Sequence, residues 1–218
     1  MSESSIKPIA NQAYDYLFQK IVRCDYFPGQ EINEKQIIEE TGFGRTPLRE
    51  ALLLLQNDGL VEIFPRKGMR ISVMTEKSVN DLYQARKIIE PQVIDDFKGF
   101  YSKGKLMKYR TQFENSRPMK DLDRFFLDSE FHSYLISVTG NRTLTDMYGT
   151  LMAATVRLAM YATFTPISDC RNEDIDQHLA IIDALLCENS KDIRDAVIFH
   201  LNRSMIRSHA AVSALPFK

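Results

Sequence analysis

Over the first 75 residues the apolar positions fall into three short helical periods followed by two strand-like runs. Tyr14, Leu17, Phe18, Ile21 and Val22 recur at i, i+3, i+4, i+7 and i+8, which puts one apolar stripe on a helix, and Pro28-Gly29 ends it in a turn. A second helix is predicted to start at Asn33, whose side chain can cap the free backbone N–H groups while Gln36 reaches back; Gly42 stops it. A third opens near Arg45. Pro47 is tolerated in its first turn because those N–H groups have no intrahelical acceptor, and Leu48, Ala51, Leu52 and Leu55 form the buried stripe. Asn57-Asp58-Gly59 breaks this helix, and the runs LVEIF and MRISVM, joined by Pro65-Arg66-Lys67-Gly68, read as a hairpin. Three helices and a terminal hairpin make the layout of a winged helix-turn-helix, whose third helix enters the DNA major groove.

From Thr75 onward the pattern is helical throughout. Six helices are predicted, at roughly 76–100, 103–114, 119–138, 142–164, 172–188 and 190–213, with Thr75 as a cap and Gly140 and Asn189 as stop signals. The expected fold is mainly α: a winged helix-turn-helix over residues 1–75, then an antiparallel all-helical bundle over residues 76–218.

Composition adds little to this picture. Of the 218 residues, 44% are apolar and 26% charged, which argues for folded domains rather than disorder or a fibrous repeat. The formal net charge of -1 does not announce a nucleic-acid ligand, yet the stretch from Arg45 to Arg70 holds five basic residues (Arg45, Arg49, Arg66, Lys67, Arg70) against three acidic ones. Cys24, Cys170 and Cys187 are scattered and form no C-x-x-C pair, which fits a reducing cytoplasm. The N-terminus lacks the pattern of an export signal and no apolar run reaches the length of a membrane span, so a cytoplasmic protein is expected.

In GFGRTPLREAL, Arg45 and Arg49 lie four residues apart on the face opposite the leucines, with Thr46 beside them at the helix start. An arginine fork can bond guanine O6 and N7 together or clamp a phosphate, and a helix N-terminus favours a phosphate oxygen. Arg66 and Lys67 at the hairpin tip can reach the minor groove or backbone, with Gly68 supplying the bend. The same arginines would equally solvate a helix, and winged helices also serve as protein-protein modules. In LDSEFHSYLISVTGN, Asp128 and His132 share one helical face at a spacing that suits a common ion; His178 and His200 fall on the fifth and sixth predicted helices, where antiparallel packing can bring them inward. Single buried histidines are more often hydrogen-bonded core residues, so spacing leaves both readings open.

The segment PGQEINEKQIIEETGFGRTPLREALLLLQNDGLVEIFPRKGMRI resembles the N-terminal domain of GntR-type transcriptional regulators, in the PG-x-x-[LI]-x-E start, the G-[VF]-[SG]-R-T-P-[VL]-R-E-A-L helix, the GL pair and the wing glycine. The resemblance implies that Arg45, Thr46 and Arg49 contact double-stranded operator DNA, assisted by Arg66, Lys67 and Gly68. It departs at Gly44, where many relatives carry a capping serine. Residues 76 to 209 resemble the FCD ligand-binding domain of the FadR branch, through LYQARKIIEP, D-x-x-F-H followed by GN-x-x-L, an H-x-x-[IL] helix and a final A-x-x-x-x-H-L. This implies that Asp128, His132, His178 and His200 bind a divalent metal, a set that relatives binding fatty acyl groups lack; His209 falls outside it. Three imidazoles and a carboxylate suit zinc, with nickel or manganese as alternatives.

Open metal positions would accept a carboxylate or hydroxyl oxygen of an effector, a small carboxylate or sugar acid, with an arginine at its other end. Arg86 matches an arginine that points into the pocket in the family. Arg157, the lone charge in LMAATVRLAMYATF, either faces that pocket or snorkels outward. The function expected is that of a metabolite-responsive regulator, a repressor acting as a homodimer on a two-fold operator, and not an enzyme. Two alternatives remain: a metal-dependent enzyme using the Asp/His site, and a structural ion that only staples the bundle.

Overall fold

In the computed structural model, residues 7–65, 68–163 and 171–214 are described. The chain forms two compact units that divide between Met74 and Thr75.

The first unit runs α1 (Ile9–Val22), β1 (Glu31–Ile32), α2 (Glu34–Thr41), α3 (Arg45–Asn57), β2 (Val61–Phe64) and β3 (Gly68–Ile71). Leu17 and Ile21 of α1 meet Leu48, Leu52 and Leu55 of α3 in a core completed by Ile37, Val61 and Ile71. The cap at Asn33 forms, its side chain accepting from Gln36 N at 2.8 Å, but the Gln36 amide turns along the helix to Glu40 and does not reach back. Gly42 ends α2 in a left-handed conformation, φ 73°, where a side chain would be strained. The sheet order is β1-β3-β2, all antiparallel, with Val61 opposite Ile71 and Phe64 opposite Gly68. The expected hairpin is therefore present, with a third strand that sequence did not reveal: two residues, paired as Glu31 with Arg70 and Ile32 with Met69, are too few to show a period.

The second unit is helical: α4 (Glu76–Asp96), α5 (Lys103–Asn115), α6 (Asp121–Ser137), α7 (Arg142–Thr163), α8 (Arg171–Cys187) and α9 (Ser190–Ala214), with a short 3-10 turn over Lys98–Phe100. The mainly α architecture read from the sequence holds. Thr75 and Ser78 form a reciprocal capping box at the start of α4. Gly140, φ 64°, terminates the α6 end, whereas Asn189 is no stop signal: its side chain accepts from Lys191 N and Asp192 N and so opens α9. The first helix of the unit also stops earlier than expected, at Asp96, where Asp95 turns its carboxylate to Lys98 and Arg194. Helices α4 and α9 run antiparallel, joined by Tyr83 to Ser208 at 3.0 Å and His209 to Asn80 at 2.9 Å. Among the described residues no helix is long and apolar enough to cross a membrane.

Candidate metal centre and nucleic-acid interface

Helix α6 carries Asp128 and His132 one turn apart on its inner face, α8 supplies His178 and α9 supplies His200. The packing brings one ligand atom of each within 4.8 Å of all the others. Asp128 Oδ2 lies 3.1 Å from His178 Nε2, and Asp128 Oδ1 lies 3.9 Å from His132 Nε2. The three histidines are fully buried, and the His178 ring stacks on Phe113 with centroids 4.4 Å apart.

Each imidazole is held from behind. His132 Nδ1 donates to Glu90 Oε2 at 2.8 Å, His178 Nδ1 to the Asp174 carbonyl at 2.8 Å, and His200 Nδ1 to Gln177 Oε1 at 3.2 Å. Acceptors on all three Nδ1 atoms fix the tautomers and leave Nε2 with its lone pair free, as in histidines that ligate a metal through Nε2. Buried polar atoms are almost always paired. Here His132 Nε2, His178 Nε2 and Asp128 Oδ1 are buried without a hydrogen-bond partner among the described residues. Three imidazoles and a carboxylate whose ligand atoms lie this close together, two of the imidazole nitrogens and one carboxylate oxygen among them unpartnered, fit a divalent cation.

The charges in the cluster act on one another. Burial alone would raise the Asp128 carboxyl, but the neighbouring His178 and then His132 hold it well below the usual carboxylate range. Burial pulls His178 down, and the Asp128 charge more than reverses this, so it titrates above an ordinary histidine. Burial and the charge on its two neighbours push His200 well below that value.

Glu90, which sequence did not single out, is fully buried one turn beyond Arg86 and links it to His132. Arg86 Nε donates to Glu90 Oε1 at 2.5 Å, and its Nη1 lies 3.4 Å from Thr155 Oγ1. Burial would raise Glu90, yet Arg86 and then His132 hold it down to about 2. The spacing of Arg86 and Glu90 at i, i+4 within ARKIIEP was the available signal, but such pairs are usually solvated. Arg157 is also buried, with Nε 3.1 Å from the Tyr161 hydroxyl.

On the first unit, Arg45, Thr46 and Arg49 are exposed along the opening turns of α3. Gly44 precedes the helix without a side-chain cap, and Pro47 contributes no N–H to the first turn. Arg49 Nε meets both carboxylate oxygens of Glu34 at 2.9 and 3.1 Å, a pair left accessible by the 64% exposure of the arginine side chain. Gly68 adopts φ 96° at the start of β3; Arg66 and Lys67 lie outside the described residues.

Residues 9–71 match the model of bacterial regulatory proteins of the gntR family, and residues 81–203 match the FCD domain. The chain is 26% identical to the uncharacterized HTH-type transcriptional regulator YdhC of Bacillus subtilis (strain 168), covering 89% of this chain and 88% of the relative. It is 28% identical to the HTH-type transcriptional repressor RspR of Escherichia coli (strain K12), covering 89% and 86%. In fold it is similar to E. coli McbR/YncC, with a TM-score of 0.80 at 15% identity over 94% of this chain and 98% of that one. A helix-turn-helix domain followed by an FCD domain therefore places the chain in the GntR family of transcriptional regulators, not among enzymes.

Proposed function

We propose that this regulator is a cytoplasmic homodimeric repressor that binds a two-fold operator through Arg45, Thr46 and Arg49, with Arg66, Lys67 and Gly68 of the wing assisting. Its helical domain holds a divalent metal, zinc first and nickel or manganese as alternatives, on Asp128, His132, His178 and His200, and senses a small organic acid there. The observation that carries the reading is the set of ligand atoms: three histidines pinned through Nδ1 around one carboxylate, with His132 Nε2, His178 Nε2 and Asp128 Oδ1 lacking a hydrogen-bond partner among the described residues.

When bound, the ion would supply open coordination positions for a carboxylate or hydroxyl oxygen of the effector. Arg86 and Arg157 are the effector contacts expected on the protein side, and of Arg86 only Nη1, with its long contact to Thr155, is not committed to Glu90. The name of RspR supports repression as the sign. Effector binding changes DNA affinity only if the two arrangements of the DNA-binding units bind effector unequally.

The test is metal content by mass spectrometry on untagged protein purified without chelators, comparing wild type with His178→Ala. About one equivalent per chain, lost in the variant, is expected for a four-ligand site. Absence of metal from both would overturn the reading.

A further inference from the structure

Arg124 is a second buried guanidinium, and its surroundings leave it unsatisfied. It sits on α6 one turn before Asp128 and two before His132, so it continues toward the helix N-terminus the stripe that carries two members of the cluster. The residue is 5% exposed. Its Nη2 donates to Asp121 Oδ1 at 3.0 Å, while Nε and Nη1 are buried without a hydrogen-bond partner among the described residues. Each Nη nitrogen carries two hydrogens. Whichever one of Nη2 is taken by Asp121, the other edge of the guanidinium keeps two parallel N–H groups, the geometry that grips a carboxylate bidentately.

A charged group sealed from water with open donors is unfavourable unless something else meets it. Arg86 is paired with the fully buried Glu90, whereas the one ion pair of Arg124 goes to Asp121, whose side chain is 38% exposed, and leaves Nε and Nη1 unmet. Arg124 lies thirteen residues before the end of α6 and Thr155 thirteen after the start of α7, so the α6–α7 hairpin sets Arg124 level with the turn that Arg86 Nη1 reaches.

We infer that Arg124 grips the far carboxylate of the effector, which is therefore a diacid, with its near carboxylate at the Asp128–His132–His178–His200 centre. This rests on the reading of that centre as a metal and effector site. Side chains on a helix lean toward its N-terminus, so the two anchoring points stand roughly one to one and a half turns apart, about 6 to 8 Å. Counted from terminal oxygen to terminal oxygen, a diacid advancing ~1.3 Å per bond bridges that gap with about four or five carbons. A monocarboxylate of equal length would leave the Arg124 edge empty.

The experiment is calorimetric titration of the full chain, zinc-loaded and metal-free, with succinate, glutarate and adipate against butyrate, valerate and hexanoate. At least one diacid is expected to bind zinc-loaded wild type about tenfold or more tighter than the monoacid of its length, from one charged bidentate contact. Arg124→Met should abolish that difference at unchanged zinc content, Arg124→Lys should reduce it by losing the fork while keeping the charge, and Arg142→Met, at an exposed guanidinium of α7, should preserve it. An unfavourably buried guanidinium also predicts that Arg124→Met does not lower the melting temperature of metal-free protein. Equal affinity for diacids and monoacids in zinc-loaded wild type, or full discrimination in Arg124→Met, would overturn the role of Arg124. Failure of wild type to take up zinc would instead sink the metal reading, and diacid preference in that metal-free protein, lost in Arg124→Met, would still uphold Arg124.

Discussion

The Arg86–Glu90–His132 chain makes a prediction in which a second mutation repairs the first. Glu90 is completely buried, neutralises Arg86 and accepts from His132 Nδ1. Replacing it with leucine strands the Arg86 charge in the interior, where removing one partner of a buried pair costs about 3–5 kcal/mol. Against a domain stability of roughly 5–15 kcal/mol, Glu90→Leu should be severely destabilised. Adding Arg86→Met removes the stranded charge, and since an apolar pair of similar volume is often neutral or better than a buried ion pair, most of the loss should return. Urea unfolding of metal-free full-length protein, followed by circular dichroism, measures both steps without interference from metal linkage. The repaired double variant should nevertheless bind zinc about 10- to 100-fold more weakly in a chelator competition, because His132 has lost the acceptor that orients it. If Glu90→Leu unfolds within about 1 kcal/mol of wild type, or if Arg86→Met makes it worse, the pair is not the isolated buried charge couple described here.

On the DNA-binding unit, Arg49→Ala should lose about tenfold or more of operator affinity in a gel shift, with the thermal unfolding of the unit unchanged because the side chain is exposed; retained affinity would refute a reading role for Arg49. Asp95 supplies a pH dependence away from the metal cluster. Burial would raise its carboxyl, but hydrogen bonds from Ser190 and Lys98 and the charge of Arg194 hold it below the ordinary value. Its stabilising contribution is therefore complete above the unfolded carboxyl value near 3.8 and is lost as pH falls through the lower folded value. Unfolding titrations from pH 5 to pH 2 should show a shallower loss of stability in Asp95→Asn than in wild type; identical slopes would mean that the clamp between α4 and α9 carries no linked proton.

How far the sequence could be read follows from the range of each interaction. Helices whose stripes and caps are local were legible: Leu48, Ala51, Leu52 and Leu55 are all buried, and Asn33 and Thr75 cap as their neighbours suggest. Asn189 misled because the same amide chemistry can end one helix or open the next, and the positive-φ residue Glu188 just before it, which ends α8, decides which. The two-residue strand β1 was invisible because its pairing partner is far along the chain.

The site divides along the same line, and the division has a physical cause. Asp128 and His132 could be paired from their i, i+4 spacing, whereas joining them to His178 and His200 needed either the family resemblance or the packed bundle. What neither spacing nor resemblance conveyed is the charge state of the surroundings: Arg86 and Arg124 are both arginines on inner helix faces, yet one is neutralised by Glu90 and the other has two open donors. Sequence offered Arg86 and Arg157 as partners for an acid's carboxylate and did not single out Arg124. Only burial and partner geometry separate an arginine that tunes a ligand histidine from one whose single ion pair, to Asp121, leaves two nitrogens unmet, and that difference directs the effector search toward molecules with two acidic ends.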